Sequence, residues 1–293
     1  MHHIADRMDV SHGTVEDSVK RVGTAIYKAF GRCIEMPLNG SREKAVVAAG
    51  FTDAGFGLAR GIIDCTHMEV VVPTQARQDG AAVHYRDRHQ KATLSFQVVV
   101  DASTRILSVH GGVLGSAYDT TVLEESPLYQ FLERFLLPGE YLLGDKGYKL
   151  RGWMIRPYSP KEIAAGKDEY IMRRRSRFNK RYSGLRITVE RTFGIMKARF
   201  RGLLRRLWFR DADCATYSLV FKACCVLNNL CLDAKDDLGE PEAVVEAMKC
   251  QAEWSAKLKE SARVGEKVEF KKKKSTLLDG QQTREALFQS IMH

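Results

Sequence analysis

Three acidic residues lie in apolar stretches of the sequence, where a carboxylate is unusual. Asp64 lies within GIIDCTHMEV, Asp145 ends the apolar run YLLGD, and Glu190 lies in RITVERTFGIMK, whose apolar residues repeat at helical spacing. Burying a carboxylate costs free energy unless a cation or several hydrogen-bond donors compensate it. Each acid taken singly is better explained as a turn former, a helix cap or a surface charge. Together, on two strands and a helix that converge at one sheet edge, they would bind Mg²⁺ or Mn²⁺.

Such a site would suit the cutting or transfer of phosphodiester bonds. Two divalent ions about 3.5–4 Å apart can activate a water or hydroxyl and stabilise the leaving oxygen. The sequence also supplies charge for phosphates, because residues 171–210 contain fourteen Lys and Arg and a single acid, Glu190. Since like charges repel along a helix, an ordinary surface helix mixes both signs. A phosphate-binding face is therefore favoured, with an ordinary solvated surface as the alternative.

The whole chain is basic, with 46 Lys and Arg against 36 Asp and Glu and a net charge of +10. This excess favours nucleic acid as a partner, with an anionic membrane surface second. The composition, 44% hydrophobic and 28% charged, excludes collagen-like and wholly disordered classes. Seven scattered cysteines indicate a reducing compartment, and their spacing does not predict a zinc site. The apolar runs are too short to predict a membrane span.

Hydrophobic patterning predicts the elements that must position the acids. In chain order they are strands over 62–72, 92–101 and 105–113, a helix over 119–137, strands over 140–145 and 153–157, and helices over 181–201 and 215–232. A tight turn after Asp101 makes the second and third strands a hairpin, and Thr121 with Glu124 predicts a capping box for the first helix. This order predicts an α/β fold with a mixed sheet flanked by helices.

The two ends of the chain differ from this central part. Residues 1–35 are typical of a helix-turn-helix with Ser11 as an N-cap, although an ordinary helical hairpin is an equal alternative. Residues 36–60 are interpreted as a linker around one short helix, and residues 61–232 as the catalytic domain. Residues 233–293 form a charged tail, predicted to be partly helical or disordered. Its cluster Lys271–Lys274 is either a nuclear localisation signal or a solvated tail.

Six short motifs follow one another in a recognisable order. They are GIIDCTH at 61–67, FQVVVD at 96–101, GSAYD at 115–119, GDKGY at 144–148, RPY at 156–158 and RITVERTFGIMK at 186–197. In this order, and with 81 residues from Asp64 to Asp145 and 45 from Asp145 to Glu190, the region 61–230 resembles the transposase nucleases of the PIF/Harbinger superfamily and their domesticated descendants.

This resemblance implies a ribonuclease H-like fold and a DDE triad. Asp64, Asp145 and Glu190 would be the catalytic metal ligands, holding Mg²⁺ or Mn²⁺, with two ions expected. DNA would be the substrate, and a separate Myb-like DNA-binding protein a further partner; an oligomer is also compatible. The nucleus is the expected place of action, with the cytoplasm as a further location. The basic residues expected to contact DNA phosphates are Arg173, Arg174, Arg175, Arg186, Arg191, Lys197 and Arg199.

Two questions stay open at this level. Asp119, in the GSAYD motif, either caps the following helix or contacts the metal. Cys65 stands where the family often has glycine, and Tyr118 where it often has histidine.

The protein is interpreted either as a metal-dependent endonuclease or transposase that hydrolyses or transfers DNA strands, or as a domesticated copy that binds DNA or chromatin without cutting.

Overall fold

The computed structural model of the protein describes residues 2–166, 168–204, 209, 214–236 and 274–292. Most of the predicted charged tail, residues 237–273 with three of its clustered lysines, lies outside the described residues.

A five-stranded mixed sheet forms the centre of the molecule, in the order β3-β2-β1-β4-β5. The strands are β1 (Ala59–Glu69), β2 (Thr93–Val100), β3 (Ile106–Leu114), β4 (Tyr141–Leu143) and β5 (Met154–Ile155). β1, β2 and β3 pair antiparallel, whereas β4 runs parallel to β1 and β5 parallel to β4. Every residue of β2 is buried, as expected for a central strand covered on both faces. The predicted α/β fold with a mixed sheet flanked by helices is confirmed.

The turn between β2 and β3 is held by a single side chain. Asp101 Oδ1 accepts hydrogen bonds from the backbone N–H groups of Ser103 (2.7 Å) and Arg105 (2.9 Å). Thr104 takes the left-handed conformation, with φ of 73°. A short aspartate that bonds its own backbone favours such turns, which is why the sequence predicts this hairpin correctly.

Ten α-helices lie in the described residues, together with short 3₁₀ turns. They are α1 (His2–Met8), α2 (His12–Phe30), α3 (Arg42–Asp53), α4 (Thr74–Gln78), α5 (Asp119–Glu124), α6 (Pro127–Gln130), α7 (Pro160–Ala164), α8 (Glu169–Arg199), α9 (Cys214–Asp233) and α10 (Lys274–Met292).

The N-terminal pair, α1 and α2, packs on the core. Ser11 caps α2, since its Oγ accepts from the backbone N–H of Thr14 at 3.1 Å. α2 then lies along α9, where Gly23 approaches Leu219 and Ala223. One face of the second helix is therefore covered by the central domain, and a DNA-binding role for this helix-turn-helix-like segment stays a prediction.

The segment predicted as a linker contributes to the core through α3. Phe51 and Val47 of this helix are buried against β1. Lys44 of α3 donates to Glu140 at 2.5 Å, and Arg60 of β1 donates to the other oxygen of Glu140 at 2.7 Å. This buried ion network fixes α3 to the sheet.

The single helix predicted over 119–137 is wrong. The chain forms α5, then α6, then a 3₁₀ turn over Leu132–Arg134. Pro127 has no backbone N–H and begins a new helix, which Ser126 caps. The predicted capping box at Thr121 does not form, because α5 already begins at Asp119.

α9 is long and apolar enough to cross a membrane by length and composition alone. In the structure it packs against β3 and α2, and its Tyr217, Phe221 and Val226 are buried. Asn229 of α9 accepts from Ile106 N and donates to Ile106 O, which joins the helix to the start of β3. These contacts are those of a helix in a protein core.

Candidate active site

The strand register brings Asp64 and Asp145 side by side. β1 and β4 are parallel neighbours, and Ile62 of β1 is paired with Leu143 of β4. Asp64 lies two residues after Ile62, and Asp145 lies two residues after Leu143. Both side chains therefore reach the same edge of the sheet on adjacent strands. This position explains why Asp64 is largely buried within β1 and why the apolar run of β4 ends at Asp145.

A tight turn after β4 orients the Asp145 carboxylate. Its Oδ1 accepts the backbone N–H of Gly147 at 2.7 Å. An added Cβ on Gly147 would lie 2.9 Å from Asp145 Oδ1 and 3.2 Å from Asp119 Oδ2. The carboxylates of Asp119 and Asp145 therefore border the same small volume, beside Gly147.

Asp119 enters the site from the first turn of α5. The residue before it, Tyr118, occupies the N-cap position, so the N-cap role considered for Asp119 is taken by its neighbour. The thiol of Cys65, the residue after Asp64, lies 3.5 Å from the hydroxyl of buried Tyr148. Burial raises the pKa of this thiol, and the charge of Asp119 raises it further, so Asp119 lies close to β1.

Arg186 of α8 lies among the acids. Its Nη2 donates to Asp64 Oδ2 at 2.5 Å, while Asp64 Oδ1 accepts from the backbone N–H of Cys65. The guanidinium also interacts electrostatically with Asp145 and Glu190. Arg186 was expected to contact DNA; in the structure it neutralises Asp64.

The carboxylates of Asp64, Asp119 and Asp145 repel one another. Burial raises the pKa of Asp64 to about 7; Arg186 opposes this rise, and the charges of Asp145 and Asp119 add to it. Burial likewise raises the pKa of Asp119 to about 6, and Asp145 contributes repulsion. Carboxylates that resist ionising together in this way would be stabilised by a bound cation.

Glu190 follows Arg186 by one turn of α8 and is partly buried. Its charge acts on the Arg186 guanidinium together with the charges of Asp64 and Asp145.

A tyrosine one turn before Arg186 fixes α8 to the sheet. The hydroxyl of Tyr182 lies 2.7 Å from both the Gly144 and the Ile155 carbonyl oxygens, at the ends of β4 and β5. Tyr182 is fully buried, and sequence analysis did not identify it. Its position sets the rotation of α8 that turns Arg186 towards Asp64.

The acids do not form a closed cage. Across the described residues, no group of three His, Cys, Asp or Glu side chains has the arrangement needed to hold a metal ion. All the nearby carboxylate donors are hard oxygens, however, and the volume beside Gly147 is kept open by the missing Cβ. The oxygen donors are thus of the type that hard divalent cations bind, although the described side chains do not form a preformed site for one.

Several basic residues predicted to contact DNA have partners inside the protein. Arg174 lies over the Phe288 ring of α10, and Arg175 donates to the Glu162 carbonyl at 2.5 Å. Lys197 is buried and donates to Thr66 of β1 at 2.7 Å, and Arg199 pairs with Asp236.

A different set of basic residues lies exposed along α8. Arg173 and Arg191, both predicted, are exposed, although Arg173 also pairs with Glu169. Three further cations of α8 are exposed and were not predicted to contact DNA: Arg177, Lys180 and Arg181. Their three- and four-residue spacing puts them on one face of the helix, and this spacing was the signal that could have found them.

The fold and this site define an α/β protein with an acidic sheet edge and a long basic helix beside it. The sequence pattern of the family described as DDE superfamily endonuclease matches residues 63–229. The chain belongs to this family, and the resemblance identified from its motifs is confirmed.

The chain is also similar to named proteins. "Putative nuclease HARBI1" of Mus musculus is 28% identical over 233 residues, and the match covers 78% of this chain and 62% of that protein. "Protein ALP1-like" of Arabidopsis thaliana is 28% identical over 189 residues, which cover 60% of this chain and 43% of that protein. The chain thus spans less than two thirds of these relatives' length. No solved structure matches it.

Proposed function

We propose that this protein is a divalent-metal-dependent DNA endonuclease of transposase origin, with a ribonuclease H-like core. The observation that carries the proposal is the register of β1 and β4, which sets Asp64 and Asp145 side by side at one sheet edge. Membership of the DDE superfamily endonuclease family and the similarity to proteins named nuclease support it.

In this proposal Asp64 and Asp145 bind Mg²⁺ or Mn²⁺, and Glu190 completes the triad from α8. When bound, two such ions would activate a water or hydroxyl and stabilise the leaving oxygen. Asp145 is held for this role by the Gly147 N–H, and Asp64 by the Cys65 N–H. Arg186 must leave Asp64 for an ion to approach that oxygen, and is then placed to contact a phosphate.

The DNA backbone would lie along the exposed basic face of α8. Arg177, Lys180 and Arg181 belong to this face together with Arg173 and Arg191. Lys197 stabilises the fold, because its ammonium is buried on Thr66. Action on DNA would place the protein in the nucleus, and a Myb-like partner could supply sequence recognition.

Cleavage of a supercoiled plasmid tests the proposal. The purified protein is incubated with Mg²⁺, Mn²⁺, Ca²⁺ or EDTA, beside Asp64→Asn, Asp145→Asn and Glu190→Gln. We expect nicking with Mg²⁺ or Mn²⁺ and none from the two aspartate variants, which still bind DNA. An Asp145→Asn protein that cuts at the normal rate would remove the assignment of Asp145.

One observation favours a second function, a DNA- or chromatin-associated binding protein that does not cut. Arg186 already neutralises Asp64, as a residue would in a protein that no longer binds metal. In that case the same assay shows metal-independent DNA binding and no nicking under any condition.

A further inference from the structure

Tyr118 is a large aromatic residue that the protein leaves in water beside the acidic sheet edge. It is 70% exposed, the highest value among the exposed large hydrophobic residues in the described part of the chain. A single exposed apolar residue is common on a protein surface, so the position of this one decides what it means. Tyr118 immediately precedes Asp119, whose Oδ2 borders the small volume beside Gly147 together with Asp145 Oδ1. The exposed ring is therefore one residue away from the candidate active site.

The backbone that carries Tyr118 is fixed on both sides. Before it, the Gly115 N–H donates to the Thr93 carbonyl at 3.0 Å. A Cβ on Gly115 would lie 2.2 Å from Thr93 Oγ1, so this segment lies tightly against β2. After it, the Tyr118 carbonyl accepts from the Thr121 N–H at 2.8 Å as α5 begins. A ring on a fixed backbone loses little conformational entropy when it binds a ligand.

The Tyr118 side chain is not used by the fold around it. It stands at the N-cap of α5 without making a capping hydrogen bond. Among the described residues, no aromatic ring or cation lies over its ring. Both ring faces are therefore available to a flat partner.

A positive charge lies on the neighbouring loop. Arg88 is exposed, and its loop is joined to the GSAYD motif by a hydrogen bond from the Ser116 N–H to the His84 carbonyl at 3.2 Å. Burial and the charge of Asp145 raise the pKa of Asp119, and the Arg88 charge opposes this rise, so Arg88 lies near the same acid. An aromatic ring combined with positive charge is how many proteins bind single-stranded nucleic acid.

We propose that Tyr118 stacks on an unpaired nucleobase of the DNA that is bound at the acidic edge. This inference rests on the proposed function, which supplies the DNA. The bases of an intact duplex stack on one another, so the ring would receive a base at a strand end or at a locally opened step. Tyr118 would thus position the strand at the acids, while the exposed basic face of α8 binds its phosphates.

Binding of the full chain to two DNAs in EDTA tests the proposal, measured by fluorescence anisotropy. One DNA is fully paired, and the other is the same duplex with a short unpaired stretch. Tyr118→Ala should weaken binding to the unpaired stretch about fivefold to a hundredfold and binding to the duplex by less than about twofold. Tyr118→Phe, which keeps the ring, should bind both DNAs as the wild type does.

The matched control is Tyr170→Ala. Tyr170 is also exposed, at 65%, but it lies on α8 with the Arg174 guanidinium over its ring. This variant should bind both DNAs normally. Tyr118→Ser removes the ring but supplies a preferred N-cap residue for α5, and it is measured in parallel in case the alanine variant does not fold.

Salt dependence separates stacking from a contact between charges. Stacking releases no counterions, so Tyr118→Ala should keep the slope of log affinity against log salt concentration. Arg177→Ala combined with Lys180→Ala, which removes charge from the basic face of α8, should lower that slope.

The outcomes are distinguishable. Wild-type affinity for the unpaired stretch in folded Tyr118→Ala or Tyr118→Ser, or an equal loss on both DNAs, overturns the stacking role. Nicking of plasmid by the wild type would then leave the proposed function standing. A wild-type chain that neither binds these DNAs nor nicks plasmid overturns both.

Discussion

The guanidinium of Arg186 and the carboxylate of Asp64 form an ion pair of 2.5 Å between Nη2 and Oδ2. Both side chains are largely buried, at 17% and 16% exposed. The pair joins the central strand to the longest helix at the candidate active site. Its partners come from residues 122 positions apart, so it also contributes to tertiary stability.

Arg186→Gln should therefore destabilise the metal-free protein. Removing one partner of a largely buried charged pair is expected to cost about 2 kcal/mol of unfolding free energy. Because the partners act together, Asp64→Asn in the same chain should cost less than the two single changes added. Urea unfolding in EDTA measures this coupling. Arg173→Gln, which breaks the exposed pair with Glu169, is the control and should change stability by less than about 0.5 kcal/mol. Strict additivity of Arg186→Gln and Asp64→Asn would contradict the pair.

The buried network around Glu140 should matter more for folding than any exposed pair. Its carboxylate binds Lys44 and Arg60 and is only 7% exposed. Glu140→Ala removes the carboxylate that both cations pair with, and we expect a loss of about 3–5 kcal/mol. Glu69→Ala, which breaks the more exposed pair with Lys91, should cost about 1 kcal/mol or less. Equal losses in the two variants, measured by urea unfolding, would show that the network contributes no more than a surface pair.

The ionised Glu162 carboxylate should stabilise the folded protein at neutral pH, and this stabilisation should be lost in acid. Burial opposes its ionisation, but the Arg284 guanidinium and the Ser159 N–H outweigh burial and lower its pKa from 4.5 to about 2. A lowered carboxyl pKa stabilises the fold above the unfolded pKa and loses this effect as the pH falls towards the folded one. The melting temperatures of wild type and Glu162→Gln should thus differ most near neutral pH and converge between about pH 4.5 and 2. A difference that stays constant over this range would contradict the pairing of Glu162 with Arg284.

The exposed and buried basic residues of α8 should differ in their effect on DNA binding. Each phosphate contact contributes about 0.9 to the slope of log affinity against log salt concentration. Arg177→Ala combined with Lys180→Ala should lower that slope by up to about two. Lys197→Ala should leave the slope unchanged and instead lower the melting temperature, because Lys197 is buried on Thr66. If Lys197→Ala lowers the slope and the Arg177→Ala, Lys180→Ala variant does not, the DNA-binding face lies on another side of the helix.

The sequence was informative where local pattern decides structure. The apolar runs that became β1 and β2, and the Asp101 turn between β2 and β3, follow from side-chain periodicity and from an aspartate's bonding to its own backbone. The family motifs also indicated which aspartates converge. The side-by-side position of Asp64 and Asp145 is nevertheless a property of parallel pairing, which single strands do not reveal.

The failures have physical causes as well. Periodicity ran across Pro127, where the missing N–H starts a new helix, so one predicted helix became two. α8 begins at Glu169, capped by Asp168, and not at residue 181 as predicted. The arginines at 173–175 and 177 interrupt the apolar periodicity of its first half, so the sequence pattern does not reveal this part of the helix. Charge alone could not show that Lys197 lies inside and Arg177 outside. That distinction depends on which face of α8 meets the sheet.

The helix α10 packs against the core through Leu287 and Phe288. Phe288 is fully buried against Phe178 of α8 and Tyr158, and Arg284 stacks 4.0 Å above the Tyr158 ring. A premature stop codon after Asp236 would keep every acidic motif intact and yet remove this support from α8. Gene copies in a genome that are scored as intact from their acidic triad alone would therefore include proteins unable to hold that triad in place.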